Sequence, residues 1–101
     1  MSMITSDEIL NYLSSNKVRF QKDYHLVRIG IFGSVVRGEA SAKSDIDIIV
    51  EFEENTSGLH EIKQELKTEI QEIFGRPVDI CREKYIKPFL RDKILADVLY
   101  A

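Results

Sequence analysis

The stretch GSVVRGEASAKSDIDIIVEF, Gly33 to Phe52, supplies a turn and a strand around which the rest of this chain can be arranged. From Ser44 to Glu53 the residues alternate. Ile46, Ile48, Val50 and Phe52 share one face, while Asp45, Asp47, Ile49 and Glu51 share the other, the period of a β-strand with one buried side. Gly33 and Ser34 stand about a dozen residues earlier, at the end of another alternating run. An Asp-x-Asp step that opens an apolar strand asks what the two carboxylates are for.

Upstream, HLVRIGIFG reads as the preceding strand, with Val27, Ile29 and Ile31 on one side. Thr5 or Ser6 can cap a first helix whose stripe is Ile9, Leu10 and Leu13. SAKS reads as a loop. Downstream, Leu59, Ile62, Leu66, Ile70 and Ile73 recur at helical spacing until Gly75 ends the helix. PVDIC follows as a short strand. A last helix is expected from about Lys87, with Phe89 or Leu90, Ile94, Val98 and Leu99 inward. The order helix, strand, strand, helix, strand, helix predicts an α+β fold of two layers: a small mixed sheet, helices on one face, the other face partly open. Asp45, Asp47 and Asp79 then share the open face, because Ile46, Ile48, Val78 and Ile80 are the core formers.

The totals fit that size of fold. One hundred and one residues suit a single domain, 1–101. At this mass folding hides roughly 65% of the extended chain's surface, enough for one core without staples. A single cysteine, Cys81, excludes an internal disulfide and fits a reducing cytoplasm. No apolar run reaches the ~20 residues of a membrane span, and MSMITSDEIL lacks the pattern of a signal peptide. A net charge of -3 argues against a general nucleic-acid binder. The charge is uneven, however: Lys17, Arg19, Lys22, Arg28, Arg37 and Lys43 outnumber Asp23 and Glu39 in one stretch. A small anion can be drawn there.

Asp45 and Asp47 are two apart on a strand, so their side chains leave one face about 6.6 Å apart along the backbone. Like charges held side by side invite a counter-charge, and Mg²⁺ takes one or two carboxylates plus phosphate oxygens and waters. Asp79, from a neighbouring strand, can complete a two-metal arrangement with ions ~3.5–4 Å apart. Gly33 lets a phosphate approach the backbone, where the first N–H groups of a turn and the Ser34 hydroxyl are donors. Arg37 can meet a phosphate or steady the loop, and Gly38 permits the chain to reverse. Taken alone, Asp-x-Asp also suits a solvated strand edge and Gly-Ser a plain turn. Together they make a combination that those readings explain poorly.

Other signals fall away. DIDIIVEFEENT is no calcium loop, since Ile49, Val50 and Thr56 occupy positions that need an oxygen ligand, a glycine and a glutamate. His25, His60 and Cys81 lack zinc spacing, and neither a P-loop nor a dinucleotide fingerprint is present. Cys81 reads as a core residue before a nucleophile, and Lys84 and Lys87 as a solvated turn before a phosphate contact; Tyr85, Tyr100 and the apolar face of the C-terminal helix read as core packing, with partner contacts as the alternative.

GSVVRGEASAKSDIDIIVEF resembles the signature of the DNA polymerase β-like nucleotidyltransferases, a Gly-Ser pair followed by a Ser/Asp-bearing Asp-x-Asp strand. GSVVRGEA, SDIDIIV, the late RPVDI and the ending IKPFLRDKILADVLYA are similar to the minimal nucleotidyltransferase (MNT) group. The resemblance covers most of the chain from Ile29 onward. It implies transfer of AMP from ATP with two Mg²⁺ ions. Gly33, Ser34, Arg37, Gly38 and Ser44 would serve the nucleotide, Asp45 and Asp47 would be metal ligands, and Asp79 would bind metal and accept the attacking hydroxyl's proton. It also implies a cytoplasmic antitoxin of the type VII kind, whose partner is a HEPN-domain toxin modified on a hydroxyl, that of tyrosine being expected. Two alternatives stand beside it: neutralisation of the partner by stoichiometric binding, and nucleotidyl transfer to a small molecule such as an antibiotic. Neither nucleic acid nor membrane is an expected partner.

Overall fold

The computed structural model describes residues 4–39 and 44–101. Most of the expected SAKS loop therefore lies outside the described residues. Helix α1 (Ser6–Ser15) is capped by Thr5, whose hydroxyl accepts from the Glu8 N–H at 3.2 Å. After Asn16 the chain starts a second helix, α2 (Lys17–Tyr24), which the sequence reading missed. Its residues are mostly polar, yet Phe20 and Tyr24, four apart, are both buried. His25 ends it in a left-handed conformation, φ 56°.

Strand β1 (Leu26–Phe32) leads into a 3₁₀ turn at Gly33–Val35, and strand β2 (Ile46–Phe52) runs antiparallel to β1. Helix α3 (Leu59–Phe74) crosses back to strand β3 (Val78–Arg82), parallel to β2. A second 3₁₀ turn (Glu83–Tyr85), helix α4 (Pro88–Asp97) and the short strand β4 (Leu99–Tyr100), antiparallel to β1, complete the chain. The sheet order is β3-β2-β1-β4. This is the expected α+β fold with a mixed sheet. The core joins Ile9, Leu13, Phe20, Leu66 and Ile70 of α1–α3 to Ile29, Ile31, Ile46, Ile48, Val50, Val78 and Ile80 of the sheet.

Four expectations need correction. The β1 register shifts between Leu26 and Arg28, so Leu26 takes the core position while Val27 turns outward at 44% exposure. A bulge of this kind breaks the period of two that placed Val27 inward. On α3 it is Phe74 that packs on the core, edge-to-face with Tyr12, and Ile73 is 54% exposed. Both follow Ile70 within one turn on the same side of the helix; at this end of α3 it is Phe74 that Tyr12 meets. The last helix ends at Asp97, so Leu99 belongs to an edge strand. Neither Leu99 nor Phe89, at 78% exposure, faces a core. Tyr85 and Tyr100 are exposed as well.

Helix α4 contributes nothing to the main core; it lies over the opposite sheet face at β1, beside Phe32. Ile49, on that face by alternation, is fully buried, so the face is covered at that level and open at the aspartate end. Among the described residues, no helix is long and apolar enough to cross a membrane.

Candidate active site

Register brings the carboxylates together. Asp47, near the start of β2, is the partner of Phe32 on β1 and of Asp79 on β3. Neighbouring strands lie about 4.8 Å apart, and partners in a parallel pair project to the same face, so Asp47 and Asp79 stand side by side. Asp45, exposed, immediately precedes β2 and lies one side-chain repeat away. Partial burial pushes the Asp47 carboxyl above its usual range; the charges of Asp79 and then Asp45 push further, and Arg37 offsets them in part.

Gly33 closes the site from β1. Its φ is +80°, and a Cβ placed there would collide with Oδ2 of Asp47. Glycine thus does two things here: it takes a left-handed backbone and lets the main chain lie against a carboxylate. The Gly33 carbonyl accepts from the N–H groups of Val36 and Arg37, at 3.1 and 3.2 Å, and the Ser34 carbonyl accepts from Glu39 at 2.9 Å. The first N–H groups of such a turn, here Ser34 and Val35, have no acceptor within it.

The remaining expected residues stand nearby with different roles. The Arg37 guanidinium donates from Nε to Glu39 (2.7 Å) and from Nη1 to Asp97 (2.9 Å), tying the turn to the end of α4. Those two bonds raise its already high pKa. Gly38 has φ +73° and open space where a Cβ would go, so its requirement is conformational alone. Ser44 is half-buried just ahead of Asp45 and is engaged by its surroundings.

Among the described residues, no three His, Cys, Asp or Glu side chains converge tightly enough to clasp one ion as they stand. The donor set nevertheless suits a hard divalent cation. Its oxygens are carboxylates, one of them destabilised by its neighbours' charge, and Mg²⁺ needs only one or two of them beside phosphate and water. Sequence reasoning missed Asp97, because nothing in its position signals that α4 would return to the Gly33 turn. Cys81 is half-buried and outside the main core; it follows Asp79 by two on β3, and burial, then Asp79, pushes its thiol pKa up.

A cavity of about 620 Å³ lies at the other end of β2 and does not reach the aspartates. Two ion pairs lie on it, Arg28–Glu83 (3.1 Å) and Arg82–Glu51 (2.8 Å). The aspartates instead occupy an open surface with few walls.

The Gly33–Ser34 turn thus lies against Asp47 at the end of the sheet where Asp45 and Asp79 also stand, and the nucleotidyltransferase domain family matches residues 12–101. The chain belongs to the nucleotidyltransferase domain family. Among curated relatives, the protein adenylyltransferase MntA of Thermococcus cleftensis is 37% identical over 100 residues, which cover 99% of each chain. A solved structure described as a minimal nucleotidyltransferase superposes with a TM-score of 0.77 at 29% identity, covering 98% of both chains. A toxin–antitoxin crystal structure with AMP-PNP shares the fold, with a TM-score of 0.65 at 20% identity over 85% of this chain and 69% of that one. The chain is thus a nucleotidyltransferase of minimal type, and MntA, named a protein adenylyltransferase, is among its sequence relatives.

Proposed function

We propose that this protein transfers AMP from ATP to a hydroxyl on a partner protein, a HEPN-domain toxin, and so acts as its antitoxin. The observation that carries the reading is the Asp47–Asp79 pair in parallel register with the Gly33 backbone against Asp47. The likeness to an adenylyltransferase named MntA supports the nature of the transferred group. The open aspartate face favours a protein acceptor, since a small molecule needs walls that this surface does not supply.

In this reading the N–H groups of Ser34 and Val35 and the Ser34 hydroxyl orient the triphosphate, with Arg37, Gly38 and Ser44 shaping the loop around it. Asp45, Asp47 and Asp79 would hold Mg²⁺, which when bound neutralises phosphate charge and lowers the pKa of an attacking hydroxyl. Asp79, at the outer strand, accepts the proton of the incoming hydroxyl. The hydroxyl oxygen bonds to the α-phosphorus, and the bond from that phosphorus to the bridging oxygen breaks. Pyrophosphate leaves with the electron pair. Tyrosine is the proposed acceptor.

Intact-mass spectrometry of the partner toxin, after incubation with this protein, ATP and Mg²⁺, tests the proposal. Whole AMP-unit gains with wild type, absent with the Asp45→Asn, Asp47→Asn double variant, are expected. A silenced partner in a tight complex with unchanged mass would replace catalysis by stoichiometric binding.

A further inference from the structure

A cleft of about 200 Å³ separates the Gly33 turn from α4, with Gly33 and Arg37 on one wall and Leu90, Lys93, Ile94 and Asp97 on the other. Its place follows from the sheet order. Asp79, Asp47 and Phe32 form one row across β3, β2 and β1, and Gly33 continues from Phe32 toward α4. Phosphoryl-type displacement is in line, with the attacking and leaving oxygens on opposite sides of the phosphorus. If the hydroxyl arrives over Asp79, the leaving pyrophosphate is directed away from β3, over β1 and into this cleft.

The charges on the cleft are Arg37, Lys93 and Asp97, with Glu39 behind Arg37. Arg37 is held by Glu39 and Asp97. Lys93 is one helical turn before Asp97 on α4, yet among the described residues it has neither a hydrogen-bond nor an ion-pair partner, because Asp97 is committed to Arg37. An uncommitted ammonium on a cleft that Leu90 and Ile94 also line suits a multiply charged anion. The volume falls below the range that encloses a whole drug-sized ligand, and it suits a diphosphate group.

We propose that Lys93 faces the triphosphate held at the Gly33 turn from across this cleft and is the cation that α4 contributes to the departing pyrophosphate. Lys93 attracts the phosphates of the bound triphosphate and the pyrophosphate that leaves, both of which carry more charge than AMP. The inference rests on the nucleotidyl-transfer reading above and adds a residue from the C-terminal helix.

The test is a calorimetric titration of the full chain with Mg²⁺ and each of three probes: AMP-PNP, AMP and inorganic pyrophosphate. Lys93→Met is expected to weaken AMP-PNP and pyrophosphate by roughly five- to tenfold while leaving AMP unchanged. Lys93→Arg restores most of the affinity, and Lys93→Gln repeats the loss with another neutral side chain. Equal AMP-PNP affinity in Lys93→Met and wild type, or an equal loss for AMP, would overturn the role of Lys93 alone. Wild type that binds no AMP-PNP at all would overturn the nucleotidyl-transfer reading and this inference with it.

Discussion

Gly33 and Asp47 are so close that a single methyl group on Gly33 would overlap the Asp47 carboxylate. The turn after β1 and the second acid of Asp-x-Asp are therefore one unit, though thirteen residues separate them in the chain. Gly33→Ala should cost about 1 kcal/mol for its left-handed backbone. It should also turn the Asp47 side chain away and reduce turnover far more than stability. Gly75→Ala provides the comparison: φ is +64° with open space around it, at the end of α3. Its melting temperature should fall similarly and its turnover should stay at the wild-type level.

Asp47 titrates above the ordinary carboxylate range, so its ionisation disfavours the folded state in metal-free buffer. That penalty is absent below the ordinary range, sets in as pH rises through it, and is complete above the raised value. Asp47→Asn should therefore melt higher than wild type at neutral pH without metal, by under about 1 kcal/mol or a few degrees. The gain should vanish in acid. Added Mg²⁺ and AMP-PNP should stabilise wild type and leave the variant unmoved; a variant that melts lower than wild type at neutral pH would make Asp47 structural.

Asp79 lies at the acceptor side of the row in this reading. Asp79→Asn should keep the partner complex and most nucleotide affinity while lowering adenylyl transfer by about 10²–10⁴-fold, the usual worth of a positioned proton acceptor. Co-purification of the complex, read beside partner mass, separates the two effects. Loss of the complex itself would show that Asp79 is a docking residue.

Away from the site, Glu69 of α3 collects donors from two other helices. Tyr12 and Tyr24 hydroxyls both donate to it, the latter at 2.8 Å, and Arg19 Nη1 donates at 3.0 Å. The Arg19 bond leads in holding the Glu69 carboxyl below its usual range, while burial lifts both tyrosines to about 12. Glu69→Ala should cost about 2 kcal/mol, roughly 10 °C in Tm. Because Glu69 is depressed, its stabilisation is present above the ordinary carboxylate range and is lost as pH falls through the lowered value. The gap between variant and wild type should therefore narrow in acid.

Gly30 admits β4 to the sheet: a Cβ there would lie 2.7 Å from the Leu99 carbonyl oxygen, a backbone atom that cannot rotate away. Gly30→Ala should detach β4 and leave the rest folded, since Leu99 and Tyr100 are exposed. Amide exchange reads this directly: the Ala101 N–H, which donates to Ile29 at 2.9 Å, should lose its protection.

The sequence alone determined the parts of this protein that obey a strong period or motif. The alternation from Ser44 to Glu53 placed Ile46, Ile48, Val50 and Phe52 in the core, and so placed Asp47 on the other face, because side chains two apart cannot do otherwise. The stripe of α3 and its glycine stop were legible for the same reason. The family was legible too, through Gly33, Ser34 and the Asp-x-Asp step.

Tertiary structure alone decided the rest. The bulge at Val27 is a register event between two strands, and α2 is held by two aromatic anchors in a polar segment. Strand β4 exists because Gly30 leaves room beside β1. Most of all, the pairing of Asp47 with Asp79 depends on the register of strands thirty residues apart, and the contact of Arg37 with Asp97 depends on where α4 comes to rest. Local periodicity reports which way a side chain points; only packing between distant segments fixes what it meets.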